Sequence, residues 1–273
     1  MSDFLLAHYS SIRLASFVCV LLIMAFWEFC RPQKRLTQAK LVRWLNNVSI
    51  VALNGVLLPL TLPVLAFGIA IFAHTQQFGL IHVLLTPAQQ QQFAPLLLIL
   101  SVLFLDLVIY WQHRLFHQIP ILWRLHRVHH SDQDIDVTTG SRFHFIEIWL
   151  SMLIKIAMIL AFGISPIAVL IFEVTLNACA MFNHSNIKLP TKVDQTIRVF
   201  LVTPDMHRVH HSIHRNETDS NYGFCLSIWD RWFKTYIPQP KDGHQNMKIG
   251  ISLFRHPSEQ KIWNMLTQPF REK

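Results

Sequence analysis

The sequence predicts an all-α integral membrane bundle of about four to five transmembrane helices. Three observations carry that reading. The 273 residues are 52% hydrophobic and only 15% charged. The uncharged runs are long, and short stretches rich in Lys, Arg and His separate them. A soluble domain of this length carries about 25% charged residues, so the composition leans towards lipid.

Crossing a bilayer takes about 17–25 mostly apolar residues. Five stretches qualify, at approximately 12–30, 48–73, 93–112, 146–163 and 166–183. The first lacks a basic leading region and a small-residue cleavage site, so a retained helix is expected, not a removed signal peptide. Five cations follow it with no acid among them: Arg31, Lys34, Arg35, Lys40 and Arg43. Such loops mark a cytoplasmic face. Residues 74–92 contain no Asp, Glu, Lys or Arg and are expected outside, with an interfacial piece at Leu80–Leu85. The third span then returns inwards, and 146–183 forms a helical hairpin out and back. Under this topology every histidine cluster falls on the cytoplasmic side. Residues 1–92 therefore read as N-terminal transmembrane helices, 93–240 as the domain carrying the clusters, and 241–273 as a polar C-terminal tail.

The four cysteines, Cys19, Cys30, Cys179 and Cys225, lie far apart with no C-x-x-C pair. They are expected to be small buried apolar residues, not a disulfide framework or thiolate site. The formal charge of +8 does not point to nucleic acid, because no basic run is interleaved with stacking aromatics.

Sixteen histidines stand in the chain, and they cluster. His113 and His117 sit at the end of the third span; i and i+4 share one helix face, so both rings can reach one metal. The pair lacks the Glu of H-E-x-x-H, which argues against a zinc protease. His126, His129 and His130 present three nitrogens on one face through i, i+3 and i+4. Residues 126–131 read H-R-V-H-H-S, and 207–212 read H-R-V-H-H-S again, which adds His207, His210 and His211. One zinc saturates at about four ligands, so eight boxed histidines suit two metals better than one. Imidazole suits iron, zinc and copper alike, and residue type alone does not choose among them. His8, His74, His82, His244 and His256 read as interfacial residues.

Polar residues inside the spans extend the site. Asp106, Tyr110, His113 and His117 form one helical stripe. Charges in lipid are expensive and face a functional interior, which makes Asp106 a candidate partner behind the ligands or a proton-pathway residue. Glu173, Asn177 and His184 form a second stripe, with His184 a ninth candidate ligand and Asn177 a candidate supporting residue. The fourth span opens with His144 and Glu147 and continues on the same side to Ser151 and Lys155. His144 is a further candidate for ligation.

The order H-x-x-x-H, H-x-x-H-H and a distant H-x-x-H-H in an all-helical membrane chain resembles the fatty acid hydroxylase superfamily, also called the sterol desaturase family. The segments H-R-L-F-H-Q-I-P-I-L-W-R-L-H-R-V-H-H-S, R-F-H-F-I-E, N-H-S-N-I and N-Y-G-F-C-L-S-I-W-D-R-W-F-K-T-Y strengthen the resemblance, which runs from about Ser101 to Pro238. It implies that 93–240 is a catalytic domain holding two iron ions. It also implies use of O2 to hydroxylate or desaturate a lipid: a sterol, fatty acyl chain, alkylglycerol ether or carotenoid-like molecule. Residue by residue, it marks the eight boxed histidines as ligands and matches His184 to an extra histidine between the second and third boxes. Some relatives carry another histidine four residues earlier, where this chain has Ala180.

Two external electrons are needed per turnover. No fused cytochrome-like or ferredoxin-like segment is visible, so a separate reductase or small carrier is implied. The expected setting is a bacterial inner membrane, with the endoplasmic reticulum as the alternative. Three rivals make different demands. A metal transporter or metal-binding membrane protein places ligands near mid-membrane on broken helices, whereas these boxes lie at span ends. A zinc-dependent lipid hydrolase needs a carboxylate base, for which Asp132 and Asp205 are the best candidates. An inactive relic is the third, and the intact boxes speak against it.

Overall fold

The computed structural model describes residues 2–272, and among these the regular structure is helical, joined by three isolated backbone bridges. Five segments are long and apolar enough to cross a membrane. Helix α1 (Tyr9–Cys30) is followed by α2 (Lys40–Thr61) and α3 (Ala66–Thr75). Next come α4 (Ala94–Gln118), α5 (Pro120–His130), α6 (Phe145–Phe162), α7 (Pro166–His184) and the short α8 (Pro204–His210).

The expected single span over 48–73 is two helices. Pro63 lacks a backbone donor and disfavours helical geometry in the residue before it. Leu62 accordingly turns extended, at φ −127° and ψ 99°. The third span, by contrast, continues unbroken through His113 and His117 to Gln118. Ile119 before Pro120 is extended, so the chain bends there and α5 starts afresh with proline in its first turn. The hairpin between α6 and α7 is equally local in origin. Gly163 ends α6 in the left-handed region at φ 71°, and Ser165 caps α7 by accepting from the Ala168 amide.

Helices α3, α4, α6 and α7 close one core, in which Ala66, Ala70, Leu105, Ile159, Ala168 and Phe172 are buried together. Small residues let neighbouring backbones approach, which is how spans associate without a hydrophobic drive between them. The outer faces of α1 and α2 expose Leu22, Phe26, Phe29, Leu45 and Leu60, as a lipid-facing surface requires. The cysteine expectation needs correcting here: Cys19 and Cys30 lie on the exposed face of α1, and only Cys225 is buried.

Arg43 also departs from its reading as a loop cation. It is buried, donating to both carboxylate oxygens of Asp132 (2.9 and 2.8 Å) and to Asp136 (2.5 Å). Arg31, Lys34, Arg35 and Lys40 keep some exposure. Arg142 is buried beside the same acid, and burial lowers it to about 10. Its guanidinium donates to the Val128 carbonyl (2.9 Å), the Ser131 hydroxyl (2.8 Å) and the Gln260 amide oxygen (2.7 Å). Part of the segment 241–272, expected as a polar tail, is thus packed against the histidine-bearing domain. Gln260 and Gln268 are buried in it; the Ser131 hydroxyl donates to Gln268 (2.8 Å), and the Gly250 amide donates to the His211 carbonyl (2.9 Å).

Candidate metal centre

Nine buried histidines meet at one end of the bundle in two groups. His113, His117, His126, His130 and His210 form one; His129, His184, His207 and His211 form the other. Within each group the candidate ligand atoms all lie within 4.8 Å of one another. All eight boxed histidines and His184 are therefore brought together. His144 falls outside both groups. Its Nδ1 accepts from the Ile146 amide (3.2 Å), so the ring caps α6, and its Nε2 faces the Leu266 carbonyl (3.3 Å).

Ring orientation is set from behind. His113 Nδ1 donates to the Tyr222 carbonyl (2.7 Å), His210 Nδ1 to the Ser220 carbonyl (2.6 Å) and His184 Nδ1 to the Ala180 carbonyl (2.7 Å). His126 Nδ1 donates to Glu147 (2.6 Å), and His117 Nδ1 to Asp219 (3.2 Å). Such partners fix the tautomer and leave Nε2 bare. Gly140 permits one of these contacts, because a Cβ there would stand 2.5 Å from the Ala180 carbonyl oxygen.

The donor set fits metal ions. A neutral imidazole carries one proton, so the Nε2 atoms of His113 and His126, which face each other at 3.1 Å, both present lone pairs. A metal ion between them would reconcile that approach in a buried site. His117, His130, His210 and His211 also have buried Nε2 atoms with no hydrogen-bond partner, although buried polar atoms are normally satisfied. Protonation is disfavoured throughout. Burial first, then neighbouring histidines, hold His129, His130, His207, His210 and His211 well below the ordinary imidazole range. Burial takes His126 down to about 3. Neutral rings are what a metal binds.

A cavity of about 550 Å³ runs from His113 and His126 between α1, α2, α6 and α7, with Leu14, Phe17, Val51 and Leu58 among its walls. Asn177 and Ala180 line it too. Asp106 lies away from the rings. It accepts from the Cys225 amide (3.3 Å), the Leu226 amide (3.2 Å) and the Trp229 indole (2.8 Å). Asp106 thereby pins the segment whose Tyr222 carbonyl orients His113. Sequence reasoning overlooked Glu147 and Asp219 as histidine partners. A carboxylate opening an apolar span was a usable signal for Glu147; Asp219 stands in a polar stretch that offered none.

Neither candidate base for hydrolysis is free. Burial opposes the charged form of Asp132, yet Arg43 and Arg142 hold it well below the usual carboxylate range, and the Thr139 hydroxyl donates to it (2.9 Å). Asp205 is taken by Arg208 within the third box.

A sequence model described as fatty acid hydroxylase matches residues 98–235. Alkylglycerol monooxygenase of Xenopus tropicalis is 36% identical over 170 residues, covering 60% of this chain and 37% of that protein. Ornithine lipid hydroxylase of Rhizobium tropici is 28% identical, over 64% of this chain and 50% of its own. Lathosterol oxidase of Mus musculus is 27% identical, over 47% of this chain and 40% of its own. The chain thus spans half or less of the length of these relatives. No solved structure matches it.

Proposed function

Because the chain belongs to the fatty acid hydroxylase family, we propose that it is a membrane-bound non-haem di-iron oxygenase that hydroxylates or desaturates a lipid with O2 and two external electrons. The observation that carries this reading is the convergence of five and four buried imidazoles at one end of a largely apolar cavity. His113, His117, His126, His130 and His210 would hold one iron, and His129, His184, His207 and His211 the other. Bound iron supplies the oxygen chemistry that an unactivated C–H bond requires, since such a bond offers acid–base groups nothing to act on.

The chain's own residues do the positioning. Glu147, Asp219 and the carbonyls of Tyr222, Ser220 and Ala180 keep the rings in place. The walls of the cavity align an alkyl chain towards His113 and His126 and keep water from it. Electrons come from a separate reductase or small carrier.

Elemental analysis of iron-supplemented protein should find about two irons per chain, the number that two groups of this size accommodate. One zinc per chain would overturn the assignment. Lipidomics under oxygen-18, comparing cells with and without the gene, then identifies the product. The metal centre belongs on the cytoplasmic side of a bacterial inner membrane, supported by the cations after α1 and their absence from 74–92. Reporter fusions at residue 85 and at the C-terminus should read outside and inside respectively; an exported C-terminal reporter refutes that orientation.

A further inference from the structure

The cavity carries charge at the end remote from the histidines. Arg13 on α1, Lys155 on α6 and Glu173 on α7 converge there, and both cations line the cavity. The Tyr9 hydroxyl donates to Glu173 (2.5 Å) and accepts from Arg13 (2.7 Å), whose Nε lies 3.3 Å from the same carboxylate. Lys155 is different. Its ammonium lies 3.7 Å from Glu173, beyond hydrogen-bond reach. Two cations thus face one acid inside the spans, where charge is costly and marks function. Glu147, the other acid lining the cavity, is engaged by His126. Besides the histidines, the remaining polar side chains of the lining, Ser10, Asn54, Gln112, Ser141, Ser151 and Asn177, are uncharged.

We propose that this end of the cavity binds the anionic headgroup, carboxylate or phosphate, of the amphiphile whose chain reaches His113 and His126. The inference rests on the lipid-oxygenase reading above and narrows its substrate class. An anion cancels the excess charge and gives the Lys155 ammonium the acceptor that the protein withholds; a neutral lipid does neither. The cluster also acts as a ruler. Lys155 lies eight residues along α6 from Glu147, about 12 Å at 1.5 Å per residue. A headgroup held by Lys155 therefore brings a carbon about that far down the chain to the metal centre.

The test uses iron-loaded full-length protein in phosphatidylcholine vesicles, with palmitate, hexadecyl phosphate and hexadecanol as probes in equilibrium binding. At least one anionic probe should bind about 10-fold or more tightly than hexadecanol, as a charge-assisted contact implies, and the tighter of the two identifies the headgroup. Lys155→Met should abolish that ratio with hexadecanol binding unchanged, and Lys155→Arg should retain it. Equal binding of the three probes by the unmodified protein overturns the proposal, and so does a preference that survives Lys155→Met. Iron content, measured on the same samples, keeps the two readings apart. Two irons without anion preference refute the headgroup site alone, whereas anion preference without iron refutes the oxygenase reading alone.

Discussion

Glu147→Gln tests whether the metal centre depends on the groups that hold its ligands from behind. Glu147 accepts from His126 at 2.6 Å in a buried setting, while Asp219 accepts from His117 at 3.2 Å with its side chain 34% exposed and also paired to Arg215. Both histidines belong to the five-membered group, so both substitutions act on the same set of rings. A hydrogen bond to a charged group contributes about 1.5–3 kcal/mol and a neutral one about 0.5–1.5. Replacing the carboxylate by an amide that still accepts therefore costs about 1–1.5 kcal/mol, or roughly 5- to 10-fold in metal affinity. Glu147→Ala removes the acceptor entirely and should reach about 10–100-fold. Asp219→Asn, discounted for solvent, should stay within about threefold. Chelator competition for iron, run beside oxygen consumption, reads all three. Equal losses for Glu147→Gln and Asp219→Asn would refute the claim that burial and bond length set the strength of the support.

Three further outcomes are expected. His129→Ala and His210→Ala, one from each group, should each abolish turnover and lose about one of two irons, with His256→Ala unchanged; normal activity in His210→Ala alone would dismiss the shared site. Asp106→Asn offers one oxygen where three donors arrive, so the Cys225 amide faces an NH2 group at a cost of about 1–3 kcal/mol. Lower thermal stability and turnover with iron largely kept are expected, and wild-type melting and rate would reduce Asp106 to a packing residue. Metal-free protein should melt at lower temperature at pH 5.5 than at pH 7.5. Histidines with depressed folded-state values bind protons only on unfolding below about pH 6.5, so stability falls as pH falls, by up to about 1.4 kcal/mol per group per pH unit. A melting temperature independent of pH would contradict the buried neutral rings.

What could be read in advance was what is local in the chain. His113 and His117 are one helical turn apart, and so are His126 and His130; any helix through them must present both rings together. His184 was readable because a span ends on it. Asp106 stood out as a charge in an apolar run, yet its partners lie 119 to 123 residues away, so its task of pinning the 225–229 segment had no sequence signature. His144, a further candidate in the sequence, stands outside both groups for a local reason. A histidine at the start of a span looks like another ligand, but its position is that of an N-cap. The burial of Gln260 and Gln268 was hidden by composition, since they enter the interior through hydrogen bonds that a polarity count cannot anticipate.

The repeated H-R-V-H-H-S carries more than its six histidines. On a helix, i and i+4 stand about 40° apart and i+3 falls on their other flank. Each box accordingly sends its first and last histidine to one group and its middle one to the other. His126 and His130 join His210, while His207 and His211 join His129. Each box contributes to both groups, so loss of either should disable the whole centre. The remaining ligands break the symmetry. His113 and His117 complete one group with a full i, i+4 pair. In the other group His184 stands alone, and the residue four before it is Ala180, a methyl group lining the cavity. Equal boxes therefore yield unequal histidine groups, and the one with fewer imidazoles has Ala180 of the cavity wall one turn before its His184.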